Sequence, residues 1–192
     1  MHRTQIAAIA VAAMSATALA SLDTNGYEIR VSNVVSPGTP STTVEVWADW
    51  DSPTFFAFAA AEFDLSADTS GMFSGPASAF SDPGQEPGDI EVDGVENIVV
   101  GQLQFPPGGL FADTSDPILV WSATWSTTDF STRSVPLATI TDQYTLYTGS
   151  DGSSSDVTMT VIEATGAIRV IPAPASLALL GLGGLAAARR RR

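Results

Sequence analysis

Apolar and polar residues alternate along the middle of the chain in short runs, each closed by a turn sequence. Val44, Val46, Ala48 and Trp50 fall on one face of such a run, and Glu45, Trp47, Asp49 and Asp51 on the other. This is the period-two signature of a half-buried strand with an acidic outer face. Further strands are predicted over 27–35, 98–105, 118–125, 144–148, 157–163 and 167–171, with Ala164-Thr165-Gly166 as a hairpin connection between the last two. Ser-Pro-Gly, Asp-Pro-Gly, Pro-Pro-Gly-Gly and Asp-Gly separate the runs. The pattern predicts an all-β domain over residues 21–170, built as a single antiparallel β-sandwich of jelly-roll type.

One segment supports two readings. Ser52-Pro53 before an Ala- and Phe-rich run can cap a short helix with Pro at its first position. As a strand, the same run places Phe55, Ala57, Ala59, Ala61, Phe63 and Leu65 on one face and Phe56, Phe58, Ala60, Glu62 and Asp64 on the other. The strand is favoured, because clustered Phe suits a sandwich core between neighbouring strands. Residues 68–89, rich in Gly, Pro, Ser and Asp, read as a long surface loop. No repeat of fixed period is present, which argues against a propeller or solenoid.

Both ends depart from this pattern. His2 and Arg3 precede the unbroken apolar stretch 6–14, and Ala18 and Ala20 supply the small residues that signal peptidase reads, predicting cleavage before Ser21. Residues 1–20 therefore read as a signal peptide with a helical apolar segment. No twin-arginine pair precedes this apolar stretch, so the general secretion route is expected. At the other end, residues 171–192 run from Pro172-Ala173-Pro174 through an apolar stretch, 176–188, to Arg189, Arg190, Arg191 and Arg192. Those 13 apolar or small residues fall short of the ~20 that a helix needs to cross a relaxed bilayer. The four arginines orient that end toward the cytoplasm and leave the proline segment just outside. Two prolines separated by one residue hold the segment extended.

Composition narrows the chemistry. The chain has no Cys, its eight basic residues are all Arg, and its single His is His2. Beyond the signal, Arg30, Arg133 and Arg169 stand against 21 acidic residues, which leaves a charge of −18 before the terminal arginines. Such a surface repels nucleic acid and anionic headgroups and attracts cations. Without thiol, imidazole or lysine amine, the exported chain lacks the parts for Ser–His–Asp and Cys–His nucleophilic sites, Lys Schiff bases and zinc centres. A non-enzymatic protein is expected, with no cofactor beyond a candidate calcium ion.

The tail, with Pro172, Ala173 and Pro174, the apolar stretch and the arginine cluster, resembles the PEP-CTERM sorting signal. In that family a Pro-Glu-Pro-like motif precedes a short membrane segment and a basic terminus. Here Ala173 stands where the family most often has Glu. The resemblance implies routing by signal peptidase and an exosortase-type membrane protease, with transient membrane insertion. The final location is then the envelope surface or an extracellular polymer matrix. The strand over 43–50, AEFDLSAD at 61–68 and the late strand over 117–124 resemble the cohesin-like and carbohydrate-binding-module sandwiches of bacterial surface proteins. That likeness implies a structural or adhesive role, or binding of an extracellular polysaccharide.

Candidate ligand sites are few. Trp121 and Trp125 would share a strand face about 13 Å apart, where they either stack on sugar rings or form the inner face of the sandwich. Trp47 is the stronger sugar candidate, since Glu45 and Asp49 mark its face as outward. Asp89, Glu91 and Asp93 precede Gly94 with the spacing that opens an EF-hand loop, but Val100 stands where the bidentate Glu belongs. The other reading is an alternating strand with solvated carboxylates. Asp142, Asp151 and Asp156 flank an Asp-Gly turn that is either a calcium loop or an ordinary solvated turn. Paired carboxylates could hydrolyse a glycoside, but no local motif selects a pair.

Overall fold

A computed structural model describes residues 24–103 and 112–172. The expected signal peptide, with Ala18, Ala20 and Ser21, lies outside the described residues. So do the apolar helix expected in the tail, Ala173, Pro174 and Arg189–Arg192. The described residues form ten strands: β1 Gly26–Val31, β2 Ser41–Asp49, β3 Ala57–Ser66, β4 Met72–Ser78, β5 Asp89–Glu91, β6 Gly94–Gly101, β7 Ile118–Ser126, β8 Arg133–Tyr147, β9 Ser154–Asp156 and β10 Thr165–Val170. A four-stranded sheet, β1-β2-β7-β4, faces a six-stranded one, β10-β8-β3-β6-β5, in which β9 also pairs with β8. The strand pairings within both sheets are antiparallel.

The inner faces meet in one main core. Val44, Val46, Ala48 and Trp50 point into it, while Glu45, Trp47 and Asp49 are only half-buried on the outer side. The alternation in β2 therefore survives intact from sequence to structure. Aromatic rings knit the two layers together. Tyr27 of β1 sits 5.0 Å from Phe63 and 5.1 Å from Tyr144, and Phe58 lies 5.6 Å from Tyr144, centroid to centroid. The Tyr144 hydroxyl crosses to the other sheet, donating toward the carbonyls of Gly26 (3.2 Å) and Asp49 (3.0 Å).

Two irregularities change which residues face inward. In β3 the register against β8 shifts between Phe58 and Ala60. An extra residue in one strand reverses the inside–outside sequence. Phe58, Ala61, Phe63 and Leu65 thus join the main core, whereas Ala57 and Ala59 pack with Ala112 and Tyr147 in a smaller cluster. The single face expected from Phe55 to Leu65 is broken, and Phe58 belongs to the core. The Ser52-Pro53 signal makes one turn, with the N–H groups of Thr54 and Phe55 both donating to the Asp51 carbonyl, before the strand begins. In β7, Val46 pairs with Trp121 and Trp47 with Leu119, so Val120 is the extra residue.

Three expectations about the elements need correction. The region 68–89 is not all loop, since it contains β4, an edge strand whose Ser74, Gly75 and Ala77 face solvent. With only Phe73 fully inward, it carries no alternating signal. The segment 157–163 is not a strand: Thr158–Thr160 form a 3-10 turn, and the Asp156 carboxylate before it accepts from the Thr158 N–H at 2.9 Å. The expected hairpin is therefore absent, and β10 pairs instead with the start of β8, Thr165 opposite Ala138 through Val170 opposite Arg133.

Candidate functional site

The site with the most defined function is the exit of the tail. β10 is an edge strand of the six-stranded sheet, and its last residues are held on both sides. Val170 lies opposite Arg133 of β8, and on its other side it forms a parallel bridge to Val35, in the connection from β1 to β2. The Val35 N–H donates to the Arg169 carbonyl, and the Ile171 N–H donates to the Val35 carbonyl, each at 2.9 Å. Val35 and Val170 are buried at 0% and 1% exposure. Pro172 follows directly. It has no N–H with which to extend the ladder, and it confines Ile171 to extended geometry, so the strand ends where the proline segment starts. Ile171 and Val34 are exposed beside this exit.

The second candidate is the outer face of the four-stranded sheet around Trp47. Of the four tryptophans, Trp50, Trp121 and Trp125 are buried at 0–1% exposure, and only Trp47 reaches solvent. Trp121 and Trp125 are thus core residues. They do share a face, but it is the inner one, so the sugar-stacking reading of this pair is withdrawn. Trp121 donates its indole N–H to the Pro87 carbonyl at 2.8 Å, which ties down the loop that crosses it.

Trp47 is held by charged neighbours. Strand pairing sets Glu28 opposite Trp47 and Arg30 opposite Glu45. The Arg30 guanidinium lies 4.1 Å from the Trp47 ring centroid and donates to Glu28 at 2.6 Å. The Trp47 indole N–H donates to Glu45 at 3.0 Å. The Glu28 hydrogen bond, with the charges of Glu28, Glu45 and Asp49, holds Arg30 above its ordinary pKa against the smaller effect of desolvation. Trp47 also borders a cavity of about 400 Å³ with Phe80, Gln102, Asp113, Pro117 and Leu119. Gln102 braces that cavity, donating to the carbonyls of Phe58 and Asp113 and accepting from the Asp113 N–H.

The carboxylates proposed for calcium are dispersed. Asp89 and Glu91 lie on β5, which pairs with β6 through a tight turn at Val92-Asp93. This hairpin replaces an EF-hand loop and points the three carboxylates into solvent. Asp151 accepts from the Ser153 N–H at 3.0 Å, and Asp156 from the N–H and hydroxyl of Thr158. Hydrogen bonds from Ser153 depress the Asp151 pKa, and those from Thr158 depress that of Asp156. Among the described residues no group of three or more acidic or imidazole side chains is placed to hold a metal ion. Asp151 and Asp156 take part in turns through these hydrogen bonds.

The tail exit was reached from sequence through its prolines, but the role of Val35 was not. The strand expected over 27–35 runs to Val35, but β1 ends at Val31, and Val35 pairs instead with Val170.

Residues 170–192 match the PEP-CTERM protein-sorting motif, which marks an exported, envelope-associated protein and implies exosortase-type processing. Five solved chains share the fold, among them a cohesin module from the family 33 glycoside hydrolase of Clostridium perfringens ATCC13124. That module is 14% identical, superposes with a TM-score of 0.53, and the match covers 78% of this chain and 98% of the module. At this identity the likeness concerns the fold alone. No curated protein matches the sequence. Among the described residues no helix is long and apolar enough to cross a membrane.

Proposed function

We propose that this chain is a non-catalytic surface or matrix protein: an acidic β-sandwich delivered outside the cell, held briefly at the membrane by its tail, and then released from that anchor. The observation that carries the reading is the continuity of β10 with the sorting motif, which joins a folded domain to a routing signal without a linker. Absence of thiol, imidazole and lysine amine beyond His2 supports a binding or structural role over catalysis. The −18 charge favours a hydrated matrix and disfavours nucleic acid and anionic lipid. Expressed beside an exosortase, the protein should appear in envelope or extracellular fractions with a mass lacking the arginine cluster. Full-length chain found soluble in the cytoplasm would overturn the reading.

A second reading, binding of an extracellular polysaccharide, is favoured by one observation: Trp47 alone among the tryptophans reaches solvent, beside a cavity. An indole over which a sugar ring can slide is the usual platform for such binding. Because the other three indoles are buried, quenching of tryptophan emission by a soluble glycan would report on Trp47 and should vanish in Trp47→Phe. Unchanged emission across neutral, acidic and amino glycans would count against it.

A further inference from the structure

We propose that Val35 is a positioning residue for removal of the tail: it clips the first residues of the sorting motif into the sandwich, and a membrane protease gains the tail only when that clip opens. The inference rests on the sorting reading and goes beyond it. The matched motif begins at residue 170, yet Val170 is a core residue of β10 and not part of a free tail. Motif and fold therefore overlap. The overlapping residues are held by two hydrogen bonds, Val35 to the Arg169 carbonyl and Ile171 to the Val35 carbonyl.

Proteases take substrates as extended strands and pair with their backbone edges. The edge offered by Arg169 and Ile171 is the one that Val35 already occupies, and a backbone N–H or C=O in a ladder serves one neighbour at a time. The opposite edge of β10 is committed to β8. Pro172 cannot donate a replacement bond, so access to the motif from its N-terminal side requires Ile171 and Arg169 to leave Val35. Strand ends open locally at lower cost than the whole domain unfolds, so the clip can open while the sandwich stays intact.

Chain length leaves little slack to avoid this. Four residues separate Ile171 from the start of the apolar stretch at Ser176, a span of five residue steps. At ~3.3–3.6 Å each they reach about 18 Å at full extension, comparable with the ~15 Å radius of gyration of a domain this size. The folded body must therefore sit against the membrane when the tail is inserted, with the motif in the gap.

The test uses the full chain produced beside an exosortase, with a second motif-bearing substrate as control, and follows tail loss by pulse-chase and intact mass. A short Gly-Ser spacer between Ile171 and Pro172 frees the motif without touching the sandwich. Tail loss should become several-fold faster, with the melting temperature of the domain unchanged. Conversely, Val35→Cys with Val170→Cys places two cysteines opposite each other in a chain that otherwise has none. The oxidised pair should stop tail loss and reductant should restore it. Equal rates for the spacer variant and the wild type, or loss at the wild-type rate from the oxidised pair, would overturn the clip alone. If the cysteine pair prevents folding, the spacer variant decides. No loss from any of these chains while the control substrate is processed would overturn the sorting reading, and the clip with it.

Discussion

The Arg30 guanidinium lies over the Trp47 ring, 4.1 Å from its centroid, on the outer face of the four-stranded sheet. This contact decides how Trp47 behaves. A cation over an indole contributes about 0.5–1 kcal/mol at an exposed site, and the ion pair with Glu28, at about one-third side-chain exposure, adds little. Arg30→Ala should therefore cost about 1 kcal/mol in denaturant unfolding. Trp125→Ala, which removes a fully buried indole, should cost about 3–5 kcal/mol. Similar losses from both variants would mean that Arg30 has a structural role beyond the stack.

Gly71 rests on the ring of Trp125. A Cβ at that position would overlap Trp125 Cζ2 and lie 2.6 Å from the Ser126 carbonyl oxygen. Neither can yield easily, because the indole is packed in the core and the carbonyl belongs to β7. Gly71→Ala should thus destabilise by about 1–3 kcal/mol, the usual range for overpacking. Gly38→Ala, with open space around its Cβ, is the control. A melting temperature equal for both variants would contradict the close approach.

What could be read in the sequence follows from where alternation is visible. β2 has one buried and one half-buried face along its whole length, so its period of two was legible residue by residue. β3 was legible as a strand, but not its faces, because the shift after Phe58 carries no composition signal. The part of β8 before Tyr144 lay outside the predicted strands, and Pro136 interrupts the strand signal near its start. In the structure Pro136 lies beyond the stretch paired with β3, which starts at Ala138, so it sits where β8 has only β10 beside it. Proline is tolerated at such an edge. The tail was legible from its prolines and arginines, whereas the clip at Val35 joins residues far apart in the chain and leaves no local mark. Trp121 and Trp125 show the converse limit. Spacing placed them on one face, but only the packing of the two sheets against each other, with Pro87 over Trp121, determined that this face is interior.

Arg133 fastens two loops at one end of the sandwich. Its Nε donates to the Ser70 hydroxyl at 3.1 Å, and its Nη2 to the Ser70 carbonyl and the Thr127 hydroxyl, each at 3.0 Å. Its Nη1 donates to the Asp129 carbonyl at 2.6 Å. Only a planar fork reaches acceptors in these directions at once. Arg133→Lys keeps the charge but loses most of these bonds, at a cost of about 1–3 kcal/mol. Hydrogen exchange should rise at 68–71 and 127–131 and stay unchanged in β2. A lysine variant with wild-type exchange in both loops would show that charge alone suffices.

Alkali should unfold the domain through its phenols. Burial pushes the Tyr27 hydroxyl far above the ordinary tyrosine value; the Glu163 and Asp142 charges add to the effect, and the Thr141 hydroxyl opposes it. Burial likewise raises Tyr144, helped by its neighbour Tyr27 and by Asp49 and Asp116. An unfolded phenol titrates near 10. Because the folded values lie above it, the neutral phenols contribute their full stability below about pH 10 and lose it as pH rises from there toward the folded values. Tyrosinate absorbance should therefore appear together with loss of near-ultraviolet circular dichroism, in one cooperative step above pH ~10. Gradual ionisation near pH 10 with the dichroism intact would show that the phenols are accessible in the native sandwich. Tyr144→Phe tests the cause directly. It removes one ionising group from the core, so the alkaline transition should move to higher pH, relative to the variant's own stability at neutral pH. At neutral pH the variant should be less stable, because the carbonyls of Gly26 and Asp49 lose the hydroxyl that links the two sheets.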